Sequence, residues 1–578
     1  MRKFEIFLVV FLSCVCKYSD CLLSLDDTGV AELHRRYKRD TGSCDNTTLY
    51  RRPDGTCNNL QNSKWGSANQ PHKRLIAAVY GDGKASPRSK CGNGGALPSP
   101  RVISSAVNSP RVIDDIFTVW MMQWGQFIDH DITLTPTLKS DVPCCGGNPP
   151  TGGPCFPISV PANDPYFSQF NKTCLNFIRS APVPDSEPRE QFNAITSYVD
   201  ASNVYGSSMS ELDSLRSKSN GMLLNNDNRL PRNPVDNCIL NQSNDAYCFK
   251  AGDARVNVWP GLSTIHTIFM RLHNLIATEL KQLNSSRSDE ELFQNTRRIV
   301  EAINAHINYY EYLPLVLGPG QTSKYDLNKE DSHYDNSTNP SIPNSFSTAA
   351  FRFGHLQIPD KYCGQNLENF YNKTDYVIKE GITKTAQCLT EELGQKYGSH
   401  PTDAICNHLF QVAPGVSNDL IALNIQRGRD HGLPSLNDFR ELACNLSRVT
   451  NFTDPKLGNS GDALSSVYSR VDDIELFPGG VAEPPVPGGI VGETFACIIG
   501  KTFSDLKKGD RFYYERNLTP DQLKEIKKIS LAKVICDTTS TGQIQPNVFR
   551  ETCGCNQKTD CSNIPGIDYS KFADHSAE

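Results

Sequence analysis

Residues 124–136 read WGQFIDHDITLTP and set His130 between Asp129 and Asp131. An imidazole flanked by two carboxylates can be a metal site, an acid/base site or a polar helix end. The residue types alone leave all three open. On a helix, Gln126, Asp129 and His130 share one face, while Trp120, Trp124 and Phe127 form a separate apolar stripe. Asp131 lies about a third of a turn beyond His130 and points elsewhere. The two aspartates are therefore expected to do different jobs.

A second stretch, AITSYVDASNVYGSS, places Thr196, Tyr198, Asp200 and Ser202 at alternate positions. In an extended segment alternate residues face one way. That gathers a carboxylate, hydroxyls and backbone carbonyls, the oxygen set a hard cation such as Ca²⁺ takes in numbers of about six to eight. Asp131 would add a second carboxylate. A strand with a polar face has the same pattern.

Long helical patterns must carry these groups. Residues 113–129, 262–283 and 290–310 repeat apolar side chains at helical spacing, as at Ile265, Ile268, Phe269, Leu272, Ile276 and Leu280. Strand signals are sparse. Pro/Gly/Cys-rich stretches such as 143–162 read as loops. The expected class is mainly α: one large helical domain with long disulfide-tied loops and little strand.

The 578-residue chain has a net charge of −6 and no long basic run after its first forty or so residues, which argues against nucleic acid as partner. Met1, Arg2 and Lys3 precede an apolar stretch too short to span a bilayer, so residues 1–21 read as a signal peptide. The dibasic RRYKRD ends a propeptide over 22–39, leaving 40–578 as the mature domain. Of 21 cysteines, Cys14, Cys16 and Cys21 fall in or near the signal and 18 follow, an even number that suits a disulfide framework. Cys44 with Cys57 and Cys238 with Cys248 make plausible short loops. Nine glycosylation sequons, at Asn46, Asn171, Asn241, Asn284, Asn336, Asn372, Asn445, Asn451 and Asn517, agree with a secreted, extracellular protein without a membrane span.

From about Cys44 to Tyr569 the chain resembles the animal haem peroxidases, the family of myeloperoxidase, lactoperoxidase and the invertebrate peroxinectins. The resemblance rests on nine blocks in order: DGTCNNL, WGQFIDHD, TSYVDASNVYG, GDARVN, FRFGH, LNIQRGRDHGLP, ELFPGG, PGGIVGETFACII and GDRFYYE. It implies haem b, with His130 as distal base, Gln126 beside it and Arg255 as the fixed charge near the O–O bond. It implies His355 as proximal iron ligand, supported by Asn424, and Arg352 on a haem propionate. It also implies Ca²⁺ held by Asp131, Thr196, Tyr198 through its carbonyl, Asp200 and Ser202. Hydrogen peroxide would then be reduced, and small donors oxidised through a ferryl intermediate.

Two positions depart from the family pattern. Asp129 matches an aspartate that esterifies haem, but the matching glutamate is replaced by Val258, which has no carboxylate. One ester at most is expected. The next residue, Trp259, stands where myeloperoxidase has a haem-linked methionine, so tyrosine and other phenols, catechols, iodide and thiocyanate are the expected donors rather than chloride. His266, His273 and His431 read as packing. KKGD at 507–510 resembles a short integrin-binding tripeptide, and a secreted adhesion or matrix protein on a weakened peroxidase scaffold is the rival reading.

Overall fold

In the computed structural model 44% of the chain is helical and 11% strand, which places it in the expected mainly α class. Residues 24–106, 111–146, 153–235, 238–240, 246–330, 333–398 and 400–573 are described. The signal segment 1–21, the sequon at Asn241 and part of the 143–162 loop lie outside them. Every sheet among the described residues has two strands.

Strand β1 (Ser24–Leu25) and helix α1 (Asp27–Lys38) belong to the segment read as a propeptide. Strand β2 (Ile113–Thr118) and helix α2 (Val119–Ile132) follow. The helix expected over 113–129 therefore starts later. Its first part, IDDIFT, is rich in β-branched residues and pairs antiparallel with Leu393–Gln395. Strand β3 (Thr137–Leu138) comes directly after α2. Helix α3 (Pro260–Leu283) begins with proline at its first turn, where no backbone N–H is needed. Helix α4 (Asp289–His306) opens with a Ser288/Glu291 capping box and runs into a π-helical stretch, Ile307–Tyr312. Helices α5 (Asp375–Glu391), α6 (Leu420–Asp430) and α7 (Leu531–Thr538) complete the frame around the site.

Helix α3 is the central post and packs on α2, α4, α5 and α7. Helix α2 is buried nearly all round, with Trp120, Trp124, Phe127 and Ile128 fully enclosed. Gly125 is required there: any Cβ would run into the Tyr312 hydroxyl. A helix packed on all sides cannot drift, and its polar residues are held where the core puts them.

Among the described residues seven disulfides tie the loops, including the expected Cys44–Cys57 and Cys238–Cys248. Pairing is incomplete, since Cys91, Cys406, Cys553 and Cys555 carry no bridge. Asn372 is 1% exposed, unlike the surface position expected of a sequon. The KGD tripeptide within KKGD is also shut away: Asp510 is 3% exposed and bonded to Arg51 and Asn58, and Lys508 pairs with Asp326. An integrin-type receptor finds no free aspartate there. His273 lies between the Tyr205 hydroxyl and the Gly221 carbonyl, and His431 bonds Ser180 and Asn344, both as packing residues.

Glu311 projects from the π-helical stretch. Burial pushes its carboxyl up to about 8, against the opposing hydrogen bond from the Leu531 N–H. A raised carboxyl contributes stability that is complete below its usual 4.5 and lost as pH climbs towards 8. Glu311→Gln is therefore expected to raise Tm at pH 8 by a few degrees and leave it unchanged at pH 4.5, as thermal denaturation at the two pH values will show.

Candidate active site

A cavity of about 330 Å³ is bounded by α2, the turn Ala254–Asn257, the turn Ala350–Gln357 and α6. Gln126, Asp129, His130, Arg255, Arg352 and His355 all line it. The helical reading of WGQFIDHD holds: three residues of one face reach one space, and Asp131 turns away from it.

Helix α2 delivers His130. Burial, then the charge of Arg255, holds its imidazole well below the usual 6.5, so it is neutral. Its Nδ1 has no hydrogen-bond partner, and the nearest carboxylate oxygen, on Asp253, is 3.8 Å away. Arg255 is fixed by Asp253, which accepts from its Nε at 2.9 Å and from Nη2 at 2.8 Å. Burial opposes ionisation of Asp253, but the Arg255 charge outweighs it and holds the carboxyl below the ordinary range. The Thr133 carbonyl takes a further Nη2 bond at 3.2 Å. Asp253 carries no role in the sequence reading, although it sits in the GDARVN block. Its signal was its place as N-cap of the turn that holds Arg255.

Asp129 faces the cavity 3.8 Å from Arg255 Nη1. Burial pushes its carboxyl up to about 6, with Arg255 opposing. Val258 lines the same cavity, with no carboxylate to offer. Trp259 donates from Nε1 to Gln126 Oε1 at 2.8 Å, a contact that pattern reasoning did not reach. It occupies the Gln126 acceptor and leaves the amide N–H groups.

His355 meets Asn424 of α6 at 2.8 Å through Nδ1, which leaves Nε2 for the cavity. Burial, then Arg352, holds its pKa at about 3, so the ring is neutral and able to ligate a metal. Arg352 Nη1 donates to Asn424 Oδ1 at 2.7 Å, so the amide presents its Nδ2 to His355. In this arrangement the amide, not the imidazole, is the donor.

The second predicted cluster also assembles. Asp131 accepts from the backbone N–H groups of Ser202 at 2.6 Å and Ala201 at 3.1 Å, and from Asn304 Nδ2 at 2.9 Å. Ser202 N–H also reaches Asp200 Oδ1 at 3.1 Å, and Thr196 Oγ1 donates to Asp200 at 3.0 Å. Burial, then Asp200, raises Asp131 well above the carboxylate range, and burial pushes Asp200 up to about 7. Asp200 Oδ2 and Asn304 Oδ1 are buried without partners. Two like charges with orphaned oxygens suit a cation. Tyr198 turns its hydroxyl to the Trp65 carbonyl, so only its backbone oxygen can join. The alternation is not a plain strand, since a short helix begins at Ser202.

Two neutral histidines and two anchored arginines thus face one cavity in a mainly helical protein. Residues 50–549 match the family model described as animal haem peroxidase, and the chain belongs to that family. It is 35% identical to Peroxidasin homolog of Mus musculus over 98% of this chain, but spans only 41% of that relative. It is 37% identical to Peroxidase mlt-7 of Caenorhabditis elegans, covering 96% of this chain and 76% of the relative. The structure resembles Peroxidase A from Dictyostelium discoideum with a TM-score of 0.73 and 27% identity, covering 87% of this chain and all of that one.

Proposed function

We propose that this chain is a secreted, haem-dependent peroxidase that reduces hydrogen peroxide and oxidises small donors: phenols such as tyrosine, catechols, iodide and thiocyanate. The observation that supports it best is a neutral His130, free at Nδ1, on one cavity with the anchored Arg255 and the His355–Asn424 pair.

Haem b, when bound, supplies the electrons that cleave the O–O bond and the oxidising power passed to donors. His355 Nε2 is the nitrogen to hold its iron, and Arg352 is placed for a propionate. A His355 that ligates through Nε2 must carry its proton on Nδ1 and donate it. Turning the Asn424 amide over would present Oδ1 to that proton. Arg352, which fixes the amide now, is released for this when it pairs with an anion.

His130 then takes the proton from one peroxide oxygen and returns it to the other, which leaves as water. Arg255 presents a fixed positive charge to the oxygen that becomes negative, without reorganising. Ca²⁺ between Asp131 and Asp200 would cancel their repulsion one residue away from His130.

The purified protein should show a haem Soret band that shifts on adding peroxide, and a donor panel should favour phenols or iodide over chloride. A folded protein recovered from haem-supplemented cells without a Soret band would overturn the proposal.

Asp129 is the only carboxylate of the Asp129/Val258 pair of positions, so one ester per haem is the most this site can form. Acid–acetone extraction should leave haem on the native protein and remove it from Asp129→Asn. Two ester links per haem by mass spectrometry would refute this.

A further inference from the structure

Among the described residues seven disulfides account for fourteen cysteines, and two of the four left unbridged there stand together on the surface. Cys553 and Cys555 flank Gly554, both are exposed, and their sulfurs lie 3.0 Å apart. The loop that carries them is anchored. Val548 and Phe549 are fully buried before it. Asn556, 6% exposed, bonds the backbone of Asn547, Arg550 and Glu551 through Nδ2, accepts from Asn547 N–H through Oδ1, and closes a turn onto the Cys553 carbonyl. The two thiols are thus held side by side and open to large partners.

What lies next to them mixes exposed apolar side chains with charge, since Asp115 on the neighbouring strand is exposed and paired with Lys396. Glu551 N–H donates to the Ile116 carbonyl at 2.8 Å, and Phe117 bridges to Arg550. On that same strand, β2, Ile113 is 69% exposed and Ile116 44%, with Val112 before it 41% exposed. Exposed large apolar side chains on the strand that pairs with the cysteine loop offer footholds for an extended polypeptide.

We propose that Cys553 and Cys555 form a thiol–disulfide exchange site whose substrate is a cysteine-bearing apolar segment of another polypeptide. Hydrogen peroxide oxidises the pair: two thiols and one peroxide give one disulfide and two waters. A bridge across a single residue closes a small, exposed ring, the kind of disulfide that exchanges readily rather than one that braces a fold. A substrate thiolate attacks Cys555 Sγ, the Sγ–Sγ bond breaks, and its electron pair stays on Cys553 as thiolate. A second substrate thiolate then attacks the substrate sulfur of the mixed disulfide, releasing Cys555. The substrate loses two electrons and two protons, and the pair regains them. Cys553 is the better leaving group: the hydrogen bond from the Cys555 side chain lowers its pKa, while that same contact raises Cys555. The exchange does not involve the haem reading and can fail or succeed apart from it.

The test uses the full-length, haem-loaded protein, treated with peroxide, desalted, and mixed with a reduced synthetic peptide carrying two cysteines among apolar residues. No peroxide remains in this phase, so haem turnover contributes nothing. The expected result is one peptide disulfide per chain, with new thiols mapped to Cys553 and Cys555 and a trapped intermediate on Cys555. Cys553→Ser and Cys555→Ser should each abolish the transfer while peroxide turnover with a phenol is unchanged. Ile113→Ser with Ile116→Ser should slow the peptide about 10-fold and leave glutathione unaffected. The proposal is overturned if both cysteines remain thiols after peroxide, if either bridges to Cys91 or Cys406, if zinc or copper occupies the pair, or if the peptide leaves the disulfide intact.

Discussion

His130→Ala is expected to lower kcat/KM for peroxide by about 10²–10⁴-fold, the range for loss of a positioned acid/base group, while haem content and the Soret band persist. The reason is specific to this imidazole. It is neutral because burial disfavours its charge, and its Nδ1 is not spent on a hydrogen bond. Its neighbour Arg255 cannot substitute, because a guanidinium holds its proton too tightly to shuttle it. Arg255 is instead a charge, locked in place by Asp253. Stopped-flow spectra of the variant with peroxide check this directly. A variant that reacts with peroxide at the native rate would remove His130 from the mechanism.

Stripping the Ca²⁺ proposed for the Asp131 and Asp200 site is expected to have the second large effect. Asp131 and Asp200 share the Ser202 N–H and are both raised by burial, so they cannot both stay charged once the cation is gone. Asp131 is adjacent to His130 on α2, and Ser202 Oγ donates to the Asp131 backbone carbonyl at 2.7 Å. Relaxation of this end of the helix moves the imidazole. A displacement of about 1 Å at a reacting group costs on the order of 10²-fold. Peroxide turnover should therefore fall by at least that factor once metal analysis confirms removal, and return on adding Ca²⁺. Asp131→Ala should show the same loss without recovery. Full turnover after verified removal would refute the coupling.

Much of this site was legible in the chain. His130, Arg255, His355 and Asn424 each sit in a distinctive block, and the helical spacing of Gln126, Asp129 and His130 put them on one face. What was not legible depends on long-range partners. Asn304 bonds Asp131 across 173 residues, and no local pattern announces it. Trp259 reaches Gln126 across 133 residues. Asp253 is the exception, a partner only two residues from Arg255 whose N-cap position was there to be read. The strand at β2 was missed because its apolar residues also fit a helical repeat, and pairing with β4 (Leu393–Gln395) decided between the two. Asp510 is a different case: it begins the block GDRFYYE as well as ending the KGD tripeptide, and its ion pair with buried Arg51 sides with the block as scaffold.

The N-terminal clasp carries a consequence of its own. Ser24 pairs with Thr137, and Thr137 also lines the cavity beside Thr135 and Leu134. Leu33 and Tyr37 of α1 lean on the patch built from Ala181, Val183 and Phe192, while Arg39 is exposed just beyond. One wall strand of the cavity is thus shared with the segment that the dibasic site would release. Cleavage at that site would be felt as a change in the rim rather than as loss of a distant tail. Were the dibasic site cut, the two paired residues of backbone would tie that event to access to the cavity, and the order of loading and cutting would matter to the rim.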